Sequence, residues 1–450
     1  MLLLTQLRRK PREVHGFPVV RGSLPFVGHL HRMAFDLLNL SRKAEAEFGP
    51  YCWMDFGISR LLFCLAPDSL SMLKNKAIGS GHLLSIMPEF LEDTVIAQDG
   101  PVHARMRSVM NRPFQPRGLS AGEVGAITAK LIEATVRSWL ARSDVKILDE
   151  TRQLAINAIF RIIGIAEDEL RLWRHHFVKF VRLALFKPAM GRFYRTAGAL
   201  RSRDWLDEQL LGLIRKARRD GEASGLLGAW LQARDENGEL MSEGEVLRNV
   251  RLLGFAGHET TAAAMAWMTI KLAEEPDVWD ALCTEANAAG DIPQTAQDLR
   301  KFTFTEAVVR EALRFYPPTP LITRDARDDF DLAGRTVPRG TLLGLPLAHL
   351  SRHPALHERP DEFLPGRWLD SRKSVTSLET LQFGGGPHFC LGYHLAWMEL
   401  VQYAVAIAKI MGRRGLRPRL VGRRPIPLYL PLQHPPLGTR VVFSSSHKTR

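Results

Sequence analysis

Residues 383–392 read Phe383-Gly384-Gly385-Gly386-Pro387-His388-Phe389-Cys390-Leu391-Gly392, a glycine-rich loop feeding straight into an apolar stretch. The pattern predicts a helix from about Leu391 to Met411, with Cys390 at its start. At such a position the backbone N–H groups and the positive end of the helix dipole favour a thiolate. The glycines let the backbone pass close to a bulky flat partner. A thiolate in that cradle is a soft metal ligand. The run lacks the Lys-Ser/Thr pair of a phosphate loop, and no second cysteine lies nearby for a zinc site.

Upstream, Ser242-Glu243-Gly244-Glu245 forms a capping box, apolar residues continue almost to Lys271, and Pro276 closes the segment. A helix of about 30 residues, roughly 45 Å, follows. One so long and apolar crosses the core, yet Ala256-Gly257-His258-Glu259-Thr260-Thr261 sets a glycine, an acid and two hydroxyls within it. From about residue 103 to 316 apolar residues recur at three and four spacing, punctuated by Pro188, Gly221, Pro276 and Pro293, which predicts a series of helices. Two short apolar runs, Tyr51 to Phe56 and Leu61 to Ala66, flank Gly57-Ile58-Ser59-Arg60 and predict a hairpin. A second strand region spans Phe330 to Leu347, broken by Gly334 and Pro338-Arg339-Gly340. Strand-like pieces around a helical middle, without βαβ alternation, predict a mainly α protein with small β-sheets. We expect one domain over residues 1–450, with residues 1–15 as a flexible basic N-terminus.

With 45% hydrophobic, 24% charged and 8% aromatic residues, the 450-residue chain is neither disordered nor low-complexity. The formal charge of +13 is spread over short clusters such as Arg8-Arg9-Lys10, Arg215-Lys216, Arg218-Arg219, Arg413-Arg414 and Arg423-Arg424. These carry no interleaved aromatics, so they do not build a nucleic-acid platform. No window offers about 20 uninterrupted apolar residues, and only Met1 to Leu4 precede Thr5 and the basic run. Neither a transmembrane anchor nor a cleaved signal is expected. Four cysteines (Cys52, Cys64, Cys283, Cys390) cannot form a dense disulfide framework, which favours a reducing, cytoplasmic setting.

The cysteine loop resembles that of the cytochrome P-450 superfamily, F-x-x-G-x-[RH]-x-C-x-G, matched by Phe383, Gly386, His388, Cys390 and Gly392. The family's other signatures follow in the right order. They are [AG]-G-x-[DE]-T-[ST] at Ala256 to Thr261, E-x-x-R at Glu311 to Arg314, and F-x-P-x-R-W at Phe363 to Trp368. Gly22 to Leu30 resembles the stretch that follows the membrane anchor in longer relatives.

The resemblance implies haem b bound through Cys390, whose thiolate pushes electron density onto the iron. Opposite it, Glu259 and Thr260 would hold a water chain that delivers protons to the oxygen, while Ala256 and Gly257 leave room. Arg367 would join Glu311 and Arg314 in a buried network under the loop. The haem propionates would meet His103, Arg107, Arg324 and His388, with Phe383 opening the haem loop. Glu306 and Arg310 are expected to form an ordinary i,i+4 surface pair, and His175-His176 to lie on the surface.

Substrate contacts are expected from Leu83, Leu84, Ile86, Met87, Phe90 and Val95, from Phe177, Phe180, Leu185, Phe186 and Phe193, and from Leu321 and Ile322 with Ala256. An apolar cavity predicts a lipophilic substrate such as a terpenoid, polyketide or fatty-acyl compound. The expected reaction is O2-dependent hydroxylation or epoxidation. Nothing resembles a flavin or nicotinamide module, so an external ferredoxin or flavodoxin with its reductase is expected to supply electrons. The rival readings are a haem-thiolate enzyme for isomerisation or oxidative coupling and a non-catalytic haem-binding protein. The acid–alcohol pair at Glu259-Thr260 argues against a further rival, a haem-thiolate enzyme using peroxide, and against a carrier, which has no need of it.

Overall fold

Tyr51–Asp55 and Arg60–Cys64 pair antiparallel with Trp53 opposite Leu62, as the two apolar runs predict. Their turn requires glycine: Gly57 has φ +82°, and a Cβ there would lie 2.1 Å from the Phe26 carbonyl oxygen. Leu62 and Cys64 join one apolar cluster with Leu343 and Leu345, while Cys52, Met54, Leu61 and Phe63 join another, so both faces of the sheet are covered. The computed structural model describes residues 13–57, 59–86, 88–190, 197–220, 225–369 and 381–445. Its five-stranded sheet runs Tyr51–Asp55, Arg60–Cys64, Leu342–Leu345, Ile322–Ala326, Ile78–Gly79, with only the Arg60–Cys64/Leu342–Leu345 pair parallel. Leu416–Leu420, Arg440–Ser445 and Val145–Lys146 make a second, three-stranded sheet.

Residues 13–15, expected to belong to a flexible terminus, are instead held. Glu13–Val14 pairs with Phe17–Pro18, Phe17 is fully buried, and Trp53 Nε1 donates to Val14 O at 2.9 Å.

The central helix spans Glu243–Glu274. Its capping box is complete: the Glu245 N–H donates to Ser242 Oγ at 3.2 Å, and the Ser242 N–H donates to the Glu245 carboxylate at 2.8 Å. Its second half packs into one apolar cluster with the helix Thr303–Phe315 and the cysteine helix Tyr393–Ile407. Its first half packs into another with Phe90, Phe177 and Phe180. Thr269 Oγ1 and Tyr403 Oη, 2.7 Å apart, tie central and cysteine helices together.

The cysteine helix starts two residues later than the sequence suggests, with Gly392 as its N-cap, and ends in a wide turn over Ala408–Gly412. The segment Tyr393–Gly412 is long and apolar enough to cross a membrane, but 89% of its most apolar 18-residue window is buried, which is how a core helix reads. His176 is not simply on the surface: it stacks on Trp205 with ring centroids 4.1 Å apart and lies 3.3 Å from Ser202 Oγ.

Candidate active site

The cysteine loop is closed by its own backbone, the Cys390 N–H donating to Phe383 O at 2.9 Å. Gly386 has φ +63°, and a Cβ there would sit 1.9 Å from Leu73 O, so only glycine fits where the loop crosses the segment Pro67–Lys74. The Phe383 ring meets Tyr393 edge-on at 4.8 Å. Burial raises the pKa of the Cys390 thiol, while a hydrogen bond from the Gly392 N–H and the charge of Arg107 pull it back. The helix start alone therefore does not make a free thiolate, and a coordinated cation would supply the missing stabilisation. The other cysteines are poorer ligands: burial pushes Cys52 and Cys283 to about 12 and Cys64 higher.

A polar shell lies beside the loop. His103 and His388 have ring centroids 4.3 Å apart, and His388 Nε2 is 2.9 Å from Asp99 Oδ1. Asp99 Oδ2 accepts the Ser80 N–H at 2.9 Å. Burial, then the charges of His388 and Arg107, push His103 down to about 4, so it meets a ligand as a neutral donor rather than as a cation. Arg107 is lowered by burial and supported by Cys390. Arg324, on Ile322–Ala326, is likewise lowered by burial, opposed by Asp99 and Asp325, and donates to Thr323 O at 2.8 Å. His82, which no motif singles out, bridges Asp325 Oδ1 and Thr323 Oγ1, both at 2.8 Å.

On the central helix Ala256 is exposed although Thr261 to Leu272 is buried without a break. Thr260 Oγ1 donates to Ala256 O at 2.7 Å, which leaves the hydroxyl's lone pairs free to accept. Gly257 leaves space that Ile159 bounds, its Cδ1 3.2 Å from where a Cβ would stand. Glu259 is already engaged: Arg152, from the helix Ile147–Ile162, brings Nε and Nη2 to its Oε2 at 2.9 and 2.8 Å. Neighbouring His258 is buried, and its Nδ1 has no hydrogen-bond partner.

Beneath the loop, Glu311 accepts Arg314 Nη2 at 2.8 Å and Nε at 2.9 Å, Arg367 Nε at 3.2 Å, Trp368 Nε1 at 2.9 Å and the Leu364 N–H at 2.7 Å. Arg314 also donates to the carbonyls of Ser351, Pro360 and Glu362. Burial would raise the Glu311 pKa, but Arg314 and the other donors more than offset it and hold the carboxyl below its usual range. Glu306 and Arg310 differ from expectation. Both meet Trp397, Glu306 accepting its Nε1 at 2.8 Å and Arg310 lying 5.3 Å over its ring.

Of the expected substrate contacts, Phe90 stacks on Phe180 at 4.1 Å and packs on Phe255 at 4.9 Å, and Phe177 and Val95 are buried, so these four are core. Leu83, Leu84 and Leu321 are half-buried and Ile322 is buried. Ile86, Met87, Leu185, Phe186 and Phe193 lie outside the residues whose side chains are described.

A thiol needing a cation, a glycine cradle without side chains, an exposed turn at Ala256 on the central helix and a shell of arginine and histidine donors fit a flat group with a soft metal and two anionic arms. The cytochrome P450 family profile matches residues 18–409. Cytochrome P450 BJ-4 of Bradyrhizobium diazoefficiens is 40% identical over 451 residues, covering 98% of this chain and all of that protein. Cyclooctat-9-en-7-ol 5-monooxygenase of Streptomyces melanosporofaciens is 30% identical over 423 residues, covering 88% of this chain and 89% of its own. A solved cyanobacterial P450 with retinoic acid bound superposes with TM-score 0.80 at 23% identity over 95% of this chain and 99% of that one.

These features define a haem-thiolate enzyme. The chain belongs to the cytochrome P450 family. It is a P450 monooxygenase with a cysteine-ligated haem iron as its cofactor. Enzymes of this family draw on O2, a lipophilic substrate and redox partners.

Proposed function

We propose that Cys390 is the axial ligand of haem b and that the enzyme inserts one oxygen atom, by hydroxylation or epoxidation, into a largely hydrocarbon terpenoid. The observation that carries the ligand assignment is the Cys390 thiol, held by the Gly392 N–H with Arg107 in electrostatic reach. When bound, the haem supplies oxygen activation at a thiolate-ligated iron. The chain supplies the rest. Arg107 and Arg324 hold the propionates as cations, and His103 and His388 as hydrogen-bond donors. Thr260 accepts from water and passes a proton inward, and Glu259, oriented by Arg152, feeds that relay from the helix behind it. The exposed Ala256 turn and Leu321 border the substrate. The terpenoid reading rests on the relative named for cyclooctat-9-en-7-ol, whose name describes a mostly carbocyclic alkene carrying one hydroxyl. An external ferredoxin or flavodoxin with its reductase delivers the electrons, and the cytoplasm is the setting in which four unpaired cysteines persist.

The test is spectroscopic and then chemical. The reduced carbonyl complex should show the red-shifted Soret band of a thiolate-ligated haem, and Cys390→His should abolish it with haem still bound. Retention of that band in the variant would remove Cys390 as ligand. Purified protein with O2, a generic ferredoxin system and a panel of cyclic terpenes, fatty acids and polyketides should oxidise the terpenes preferentially. Turnover of fatty acids alone would overturn the substrate class.

A further inference from the structure

On the N-terminal helix Leu30–Phe48, Glu45 faces two histidines that sit one helical turn apart, His349 in the turn Leu347–Leu350 and His353 just beyond it. His349 Nε2 lies 3.0 Å from one Glu45 carboxylate oxygen and His353 Nε2 lies 3.2 Å from the other. All three ligand atoms fall within 4.8 Å of one another, and the imidazole rings stand 5.4 Å apart at 84°. His349 is only 2% exposed. Its Nε2 faces Glu45 at ion-pair distance, while its Nδ1 is buried without a hydrogen-bond partner. A buried polar group in that state costs about 1–3 kcal/mol unless something else takes it up.

We propose that Glu45, His349 and His353 form a binding site for a divalent transition-metal ion, zinc by its donor set, separate from the haem. Two imidazole nitrogens and one carboxylate oxygen are a zinc donor set with a fourth position open to water. Around a tetrahedral ion with bonds of about 2.0–2.1 Å, ligand atoms stand about 3.3 Å apart, and here one ligand atom from each of the three residues already lies within 4.8 Å of the other two. His353 Nδ1 accepts the Ala355 N–H at 3.1 Å. On metal binding the His353 proton moves to Nδ1, and the Ala355 N–H, on an exposed residue, turns to water. The nearby cations do not dominate the site. Arg42 is bridged to Asp361 at 2.7 Å, and Arg352 lies 3.6 Å over the Phe315 ring with Asp361 at 3.8 Å.

The ion would have a structural task. His349 and His353 bracket Ser351, whose carbonyl receives Arg314 at 3.2 Å, and Arg352, whose Nε donates to Phe315 O at 3.1 Å. Binding would therefore clamp the N-terminal helix onto the segment that holds the buried network beneath the cysteine loop.

The experiment uses tag-free, haem-loaded full-length protein stripped with EDTA. Zinc binding is followed by calorimetry, and the melting temperature is read with and without one equivalent of ZnCl2. We expect one zinc per chain and a rise in melting temperature. In Glu45→Gln and His353→Gln, binding should weaken at least 10-fold and the rise should vanish, while His175→Gln, an exposed control, behaves like wild type. The haem spectrum reports folding in each variant. If His349→Gln does not hold haem, the more accessible Glu45 and His353 variants carry the test. No stoichiometric zinc in wild type, or equal binding in wild type and both variants, overturns the site.

Discussion

Glu311 and Arg314, one turn apart on the same helix, are joined by two hydrogen bonds of 2.8 and 2.9 Å with neither side chain exposed at all. Such a pair is weak evidence of stability in itself, because taking both charges out of water costs nearly what their attraction returns. Removing one partner is different, since the other is then stranded.

Glu311→Ala or Arg314→Ala should therefore destabilise the protein by about 3–5 kcal/mol and lower its haem content. Glu306→Ala takes the acceptor from the Trp397 N–H, so it should cost about 1 kcal/mol, not zero as a pure surface pair would. Urea titrations of the three variants check the ranking. Equal losses at Glu306 and Glu311 would mean that the buried network is not the support of this region.

Thr260→Ala should leave haem content normal but uncouple electron consumption from product. The variant removes the hydroxyl that donates to Ala256 O and can accept from water, which interrupts the relay ahead of Glu259. Peroxide release per NAD(P)H oxidised, measured with a turned-over substrate, should rise several-fold. Unchanged coupling would take Thr260 out of the relay.

Glu399, on the cysteine helix, is 4% exposed, its Oε1 has no hydrogen-bond partner, and burial raises its pKa to about 8. The folded state thus keeps a proton that the unfolded state has lost above about pH 4.3. The stability this group contributes is fully present below that unfolded pKa and is lost as pH rises through about 8, with a slope of about 1.4 kcal/mol per pH unit in between. Glu399→Gln, which cannot ionise, should gain in melting temperature over wild type between pH 5 and pH 8. A difference that does not grow with pH would show that Glu399 is not neutral inside the fold.

Electron delivery from an acidic carrier should slow as salt rises, because charges are screened over about 8–10 Å near physiological ionic strength. Arg413 and Arg414 are unsuitable probes of docking. They follow the far end of the cysteine helix, about 30 Å from Tyr393, and Arg413 donates to Asn287 Oδ1 at 3.0 Å. Lys74 is exposed, and its Cα lies 3.4 Å from where a Gly386 Cβ would stand, against the cysteine loop itself. Stopped-flow reduction should be slowed several-fold by Lys74→Glu and little by Arg413→Glu. A first-electron rate indifferent to salt and to Lys74→Glu would remove the electrostatic contact while leaving the need for a carrier.

What could be read in advance was local. The capping box of Ser242 and Glu245, the hairpin around Gly57 and the turn-spaced Glu311–Arg314 pair each depend on residues a few positions apart, where periodicity and turn chemistry operate. What could not be read joins distant segments. Arg152 reaches Glu259, His388 reaches Asp99 and His82 reaches Asp325 only because packed helices and strands bring them together. The Glu306–Trp397 contact is of the same kind, and it turned an expected surface pair into a link between two core helices. The stacking of Phe90 on Phe180 was not legible for a related reason: an aromatic in a loop or lid segment reads alike whether it lines a cavity or stacks on another ring.

The partners of Glu311 and Arg314 follow them in the chain and end at Trp368. A nascent chain leaving the ribosome amino-terminus first can therefore complete that network before residues 383–392 emerge. The cysteine is delivered late in translation, to scaffolding already in place, and the cofactor has somewhere to dock as soon as its ligand arrives.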